Sequence, residues 1–210
     1  MHELLKTVYD DVINGDRAAV ESGVRAAMEA GQPVAAILNE ALIAAMKEVG
    51  ERFERQDFYV PEMLVAARAM QAGLTILKPH LVQAGVPAAG KVVLGTVKGD
   101  LHDIGKSLVG MMLEGAGFEV IDLGTDVGPE KFGEAVRTHR PQLVGMSALL
   151  TTTMQNMKST LEALEDLGVR TQVKVMIGGA PVTDVFAKEI GADGYAPDAS
   201  RAVTLAKSLL

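Results

Sequence analysis

Lys91-Val92-Val93-Leu94-Gly95-Thr96-Val97-Lys98-Gly99-Asp100-Leu101-His102-Asp103-Ile104-Gly105-Lys106 is the stretch on which the fold is decided. A short apolar, β-rich run (Val92–Thr96) breaks into a polar loop flanked by two glycines, and a helical pattern follows over 104–115. The same alternation then recurs to the end of the chain. Further strand candidates are Val120–Leu123, Leu143–Ser147, Val173–Ile177 and the weaker Gly194–Ala196, with helical stretches near 129–139, 154–167, 183–190 and 199–209. Five β-α units in succession predict a parallel sheet with helices on both faces. Right-handed crossovers make such a sheet doubly wound. Its ligands sit at the carboxyl ends of the strands, near the point where strand order reverses.

Upstream of this stretch the texture is helical throughout. Leu4, Leu5, Val8 and Val12 repeat at helical spacing, and Asn14-Gly15-Asp16 is a stop followed by a new cap,. A second helix runs to about Ala30 and ends at Gly31. Pro33 suits the first turn of a third, whose apolar face carries Leu38, Leu42, Ala45, Val49 and Phe53,. Pro61 opens a fourth, on which Met63, Ala67, Met70, Leu74, Leu77 and Leu81 step by fours and threes as a bundle seam does,. The small, uncharged segment Gln83–Gly90 reads as a linker,. The expected organisation is a four-helix bundle over 1–85, a linker over 86–90 and an α/β domain over 91–210.

A chain of 210 residues, 48% hydrophobic and 22% charged, can bury a real core,. With aromatics at only 4%, Ala, Leu, Val and the 11 Met must fill it. The net charge of −7 argues against a broad nucleic-acid surface,. The absence of cysteine excludes disulfides, thiolate metal sites and a Cys nucleophile,. No apolar signal core opens the chain, and no apolar run is long enough to span a bilayer,. A cytoplasmic location is expected.

The loops at the ligand edge carry the candidate chemistry. In the first, His102 stands between Asp100 and Asp103, with Gly99 and Gly105 outside them. One imidazole nitrogen could ligate a metal while the other donates to Asp100, which would fix the tautomer. An Asp-capped loop with a solvated histidine explains the same residues. A zinc site from these three lacks further ligands at recognisable spacing. The third loop, Ser147 to Thr153, is rich in hydroxyls. One of them could simply cap a helix, which leaves the rest unexplained. In the fourth, Gly178-Gly179 removes side-chain bulk where a flat ligand or a chain tail could press on backbone,. The fifth brings Ala199 beside a helix start. No GxGxxG follows the first strand, no GxxxxGK[ST] occurs, and Ser147 lacks a GxSxG elbow,.

Three of these loops together resemble the cobalamin-binding modules. Asp100-Leu101-His102-Asp103-Ile104-Gly105 matches their DxHxxG motif, Ser147-Ala148-Leu149 their SxL element and Gly178-Gly179 their GG element. The whole chain resembles the corrinoid proteins of methyltransferase systems and the cobalamin module of methionine synthase. The resemblance implies a helical cap followed by a flavodoxin- or Rossmann-like sheet domain that holds cobalamin, alternating between methylcobalamin and cob(I)alamin. It implies His102 as the lower cobalt ligand, Asp100 behind it, and Thr153 where methionine synthase has the serine of the relay. Ser147, Leu149 and Thr151 would contact the buried nucleotide tail, with Ala199 near the corrin or its tail. In the cap, Phe53 and Val60 correspond to the apolar pair over the upper face, and Asn39 falls near another cofactor-contacting position. Without the resemblance, Phe53 and Val60 read as bundle core.

The implied function is a methyl-carrying subunit, non-catalytic or co-catalytic. One methyltransferase loads the cobalt, a second accepts the methyl group, and a reductive activator rescues the carrier. His102 would leave cobalt and return in each cycle, taking a proton as it leaves. The cap would swing aside about residues 83–90. Methanol, methylamines, betaines and methoxylated aromatics are all donors for this family, because the partner enzyme reads the donor. Two other classes use similar modules. A cobalamin-dependent sensor adds a DNA-binding domain and a mutase adds a catalytic barrel. Neither is expected in this acidic chain of 210 residues.

Overall fold

The computed structural model describes residues 2–210. The chain divides into two compact units. One is the N-terminal part through Ala89 with Glu114–Gly117, and the other is Gly90–Leu113 with Phe118–Leu210.

The first unit is helical. α1 (Glu3–Asn14) ends at Gly15, whose φ of 71° is left-handed. A Cβ there would also lie 2.2 Å from Val65 Cγ1, so glycine answers both the turn and the packing,. The next residue, Asp16, caps α2 (Arg17–Glu29) by accepting from the Ala19 N–H at 3.0 Å,. α3 (Val34–Ala36), a π-helical turn (Ile37–Ile43) and α4 (Ala44–Glu54) form one continuous helical path. Nothing in the residue spacing announces the π turn, because the buried positions still repeat at three and four. α5 (Val60–Gln83) carries Pro61 in its first turn. Its seam is buried as the spacing requires: Met63, Ala67, Met70, Leu74, Leu77 and Leu81 are all inside.

The second unit is a five-stranded parallel sheet in the order β2-β1-β3-β4-β5. The strands are β1 (Lys91–Thr96), β2 (Glu119–Asp122), β3 (Leu143–Ser147), β4 (Lys174–Gly178) and β5 (Gly194–Tyr195). β2 and β4 each lie one residue off the span read from the sequence, a shift typical of element ends. α6 (Ile104–Gly115), α7 (Pro129–His139), α8 (Gln155–Asp166), α9 (Asp184–Ile190) and α10 (Ala199–Leu209) follow the strands in turn. The central strands are apolar on both faces, as strands covered on both sides must be. Val93, Val144, Val175 and Ile177 pack with Phe132 and Val136 of α7, Leu161 and Leu164 of α8 and Ala187 of α9. On the other face Leu94 lies against α6 at Gly110. Gly95 is required here because a Cβ would come within 2.6 Å of the Phe132 ring,. Strand order reverses between β1 and β3, and their carboxyl ends carry the loops that follow.

Candidate functional site

β1 pairs with β3 through Thr96 and Ser147, so the loops leaving them emerge side by side. Asp100 joins the two and is wholly buried. Its Oδ1 accepts from the His102 N–H at 3.1 Å and faces His102 Nδ1 at 2.7 Å. Its Oδ2 accepts from the Leu149 N–H at 2.8 Å, the Leu150 N–H at 3.3 Å and the Thr153 hydroxyl at 2.7 Å. Burial alone would raise the Asp100 carboxyl, but the Leu149 N–H, the Thr153 hydroxyl and both donors of His102 hold it well below the usual carboxylate range,. An ionised carboxylate has no proton to give. In the neutral imidazole the hydrogen of His102 therefore sits at Nδ1, which leaves the lone pair at Nε2,. The imidazole is half exposed, at 50%, while its partner is not exposed at all. The His102 carbonyl is tied down in turn by the buried Thr96 hydroxyl at 2.9 Å.

Around this polar relay the surface is apolar. Leu101 and Ile104 are 74% and 79% exposed, with Leu149 and Leu150 both near two-fifths exposed. Exposed apolar side chains beside a half-exposed histidine whose partner carboxylate is buried make this edge a candidate binding face,. Gly105 opens onto space, since a Cβ there would meet nothing within 4 Å. Gly99 takes a left-handed φ of 79°. Gly178 and Gly179 also answer a packing demand within the chain. A Cβ on Gly179 would lie 1.9 Å from the Ala148 carbonyl oxygen, and one on Gly178 would lie 2.9 Å from that of Ala196. The paired glycines let the β4 loop press on its two neighbouring loops.

Two models of the B12 binding domain match the chain, over residues 90–204 and 4–78. A dimethylamine corrinoid protein of Methanosarcina mazei is 44% identical, the alignment covering 99% of this chain and 97% of that one. This chain belongs to the family of cobalamin-binding corrinoid proteins. A dimethylamine corrinoid protein of Methanosarcina barkeri is likewise 44% identical, over 99% and 98% of the two chains. Among solved structures, a cobalamin-binding protein from Desulfitobacterium hafniense superposes with a TM-score of 0.80 at 33% identity, covering 98% of each chain. The methanol:cobalamin methyltransferase complex MtaBC from Methanosarcina barkeri matches with a TM-score of 0.87 at 30% identity, over 99% of this chain and 79% of that one.

The donor set fits the corrinoid. Among the described residues no three His, Asp or Glu side chains converge as metal ligands. A single protein nitrogen would suit a metal that a macrocycle otherwise holds, and the exposed apolar side chains would suit the edge of that macrocycle. Ser147, the last residue of β3, is half-buried, and Thr151 lies exposed just beyond it. Ala199 is buried at the start of α10. Asp103 points back along its own helix, accepting from the Ser107 hydroxyl at 2.9 Å and pairing with Lys106 Nζ at 2.8 Å. In the helical unit, Phe53 near the end of α4 is half-buried and Val60 at the start of α5 is 39% exposed, so neither is sealed in the bundle core. Asn39 is exposed in the π turn and donates to the Ala35 carbonyl at 2.9 Å. Fourteen residues of helical path separate it from Phe53, about 20 Å at helical rise. Sequence reasoning passed over the loop after β2. Its Asp126 accepts from the Gly99 N–H at 2.7 Å.

Proposed function

We propose that this corrinoid protein carries methyl groups between two partner methyltransferases, with a reductive activator returning it to use. The observation that carries this reading is His102: Nδ1 is committed to a buried carboxylate, and Nε2 is free on an apolar face at the switch point of the sheet. Similarity to methylamine corrinoid proteins along the whole chain supports the same reading. When bound, the corrinoid cobalt supplies the centre that takes and gives the methyl group.

The chain's own residues hold and tune that centre. His102 would ligate cobalt through Nε2. Asp100 fixes the tautomer that makes this possible, and Thr153 with the Leu149 N–H keeps Asp100 ionised and in place. Leu101, Ile104, Leu149 and Leu150 exclude water from the ring edge. Ser147, Thr151 and Ala199 take the nucleotide tail. Phe53 and Val60 belong to a cover for the reactive face. No helix among the described residues is long and apolar enough to cross a membrane, which fits work in the cytoplasm.

Loading the protein with methylcobalamin tests the assignment. His102→Ala should bind the cofactor with the spectrum of a cobalt that has no lower nitrogen ligand, and should transfer methyl slowly. An unchanged spectrum would rule out His102 as the ligand. Shortening the segment 83–90 should slow methyl transfer more than cofactor binding, and equal losses would count against a hinge there.

A further inference from the structure

The last residue of β2 and the loop that follows it, residues 122–128, touch both ends of the histidine loop. At the near end Asp126 Oδ1 accepts from the Gly99 N–H at 2.7 Å, and the Asp126 N–H donates to the Asp100 carbonyl at 3.0 Å. Asp126 is one of the few residues other than glycine with a positive φ, 53°. Asp and Asn adopt that conformation more readily than most residues with a side chain. At the far end Lys106 is almost fully buried, with 2% of its side chain exposed, and its ammonium is shared between Asp103 and Asp122 at the end of β2. A buried ammonium must be paired. Here its partners are the residue after His102 and the last residue of the neighbouring strand. The Asp122 carboxylate also takes the Gly124 N–H at 2.9 Å, so strand end and loop form one piece.

We propose that this segment is a clamp on the cobalt-ligand loop, with Asp126 and the Lys106–Asp122 pair as positioning residues that set where the His102 imidazole stands. The inference rests on the reading of His102 as the ligand. None of the three residues touches the imidazole. Each acts on the backbone or the charge partner beside it: Asp126 on Gly99 and Asp100, Lys106 on Asp103. The clamp lies on the β2 side of the loop. Asp100, Thr153 and the β3 loop hold it from the other side, so His102 is supported from two directions that meet at Asp100.

Asp126 offers the sharper test, because Asn keeps both the positive φ and an acceptor oxygen while Ala keeps neither. Methylcobalamin affinity is measured by spectral titration of the apo-protein for wild type, Asp126→Ala, Asp126→Asn, His102→Ala and the Asp126→Ala/His102→Ala double variant. Exchange of the Gly99 amide is followed in the apo-proteins. Asp126→Ala should weaken methylcobalamin about tenfold, the scale of one hydrogen bond to a charged group. It should raise the fraction with the unligated spectrum and speed Gly99 exchange at least about tenfold, while Asp126→Asn stays within about twofold of wild type. In the His102→Ala background the substitution should cost almost nothing, because a positioning residue has nothing left to position. Lys106→Met, which removes the other end of the clamp, should show the same loss and the same dependence on His102. Equal loss with and without His102, or unchanged Gly99 exchange in a folded Asp126→Ala protein, would overturn the clamp. A wild type that takes up no methylcobalamin would overturn the carrier reading instead, and Gly99 exchange would still decide the clamp.

Discussion

Replacing Asp100 by Asn changes one atom and sets the relay against itself. The Asp100 carboxylate receives three donors on one oxygen and two on the other. An Asn side chain has one accepting oxygen and one NH2. If its oxygen serves Leu149 and Thr153, the NH2 faces the His102 N–H and the imidazole. The ring can then accept at Nδ1 only by moving its hydrogen to Nε2, which removes the lone pair from the outward nitrogen. The opposite orientation puts the NH2 against the Leu149 N–H. Either way a buried donor is stranded, at a cost of about 1–3 kcal/mol. Recovering the useful tautomer costs a comparable amount. The expected result is a folded protein, about 2 kcal/mol less stable in urea, whose methylcobalamin affinity falls on the order of 30-fold, since each 1.4 kcal/mol is a factor of ten. The bound cofactor should show the spectrum of an unligated lower face. Asp100→Asn with wild-type spectrum and affinity would refute the tautomer argument, because the relay would then not govern Nε2.

Three further outcomes follow from the same geometry. Thr153→Ala should lose about 1 kcal/mol of stability in denaturant unfolding by removing a hydroxyl from a buried carboxylate, and Thr153→Ser should restore most of it. Gly179→Ala should be the most damaging single change at the sheet edge, because it forces a Cβ to 1.9 Å from a carbonyl oxygen at a φ of 130°. A loss of more than about 3 kcal/mol, or failure to accumulate folded protein, is expected from such overpacking and strain. Asp100 and Asp193 both have carboxyl groups held below their ordinary range, Asp193 against its burial by the Val175 N–H, Lys174 and Arg170. The stability they contribute is therefore complete above the unfolded carboxylate value, near 4, and is lost as pH falls below it. Urea midpoints should be flat from neutrality to about pH 5 and then drop, with Asp100→Asn flattening part of that drop.

Much of this was legible in the sequence because it follows from period and punctuation. The seam on α5 and the strand-loop-helix rhythm after Lys91 are patterns of burial, and burial is what the sheet and the bundle enforce. The histidine loop could be placed at the ligand edge for the same reason. The π turn at Ile37–Ile43 could not be read, because it changes hydrogen-bond partners without changing which residues are buried. The close approach at Gly178-Gly179 was legible, but not its neighbours: a glycine pair signals contact without naming Ala148 and Ala196 as what lies against it. The Thr153 hydroxyl, placed in the relay by the resemblance alone, stands 2.7 Å from Asp100 Oδ2. The β2 loop carried one unused signal: Gly124-Thr125-Asp126 places a small polar residue where a left-handed turn is common, and such a residue can hand its carboxylate to a neighbouring loop,.

The apolar platform has a consequence outside catalysis. Leu101, Ile104, Leu149 and Leu150 present greasy surface to water on a molecule that otherwise relies on its net charge of −7 for colloidal stability,. A molecule waiting for its corrinoid is therefore sticky at this edge, and salt that screens the charge exposes that stickiness. Cofactor supply and protein solubility become one problem: a cell or a purification short of corrinoid should lose this protein to aggregates first, and the loaded fraction should be what survives in solution.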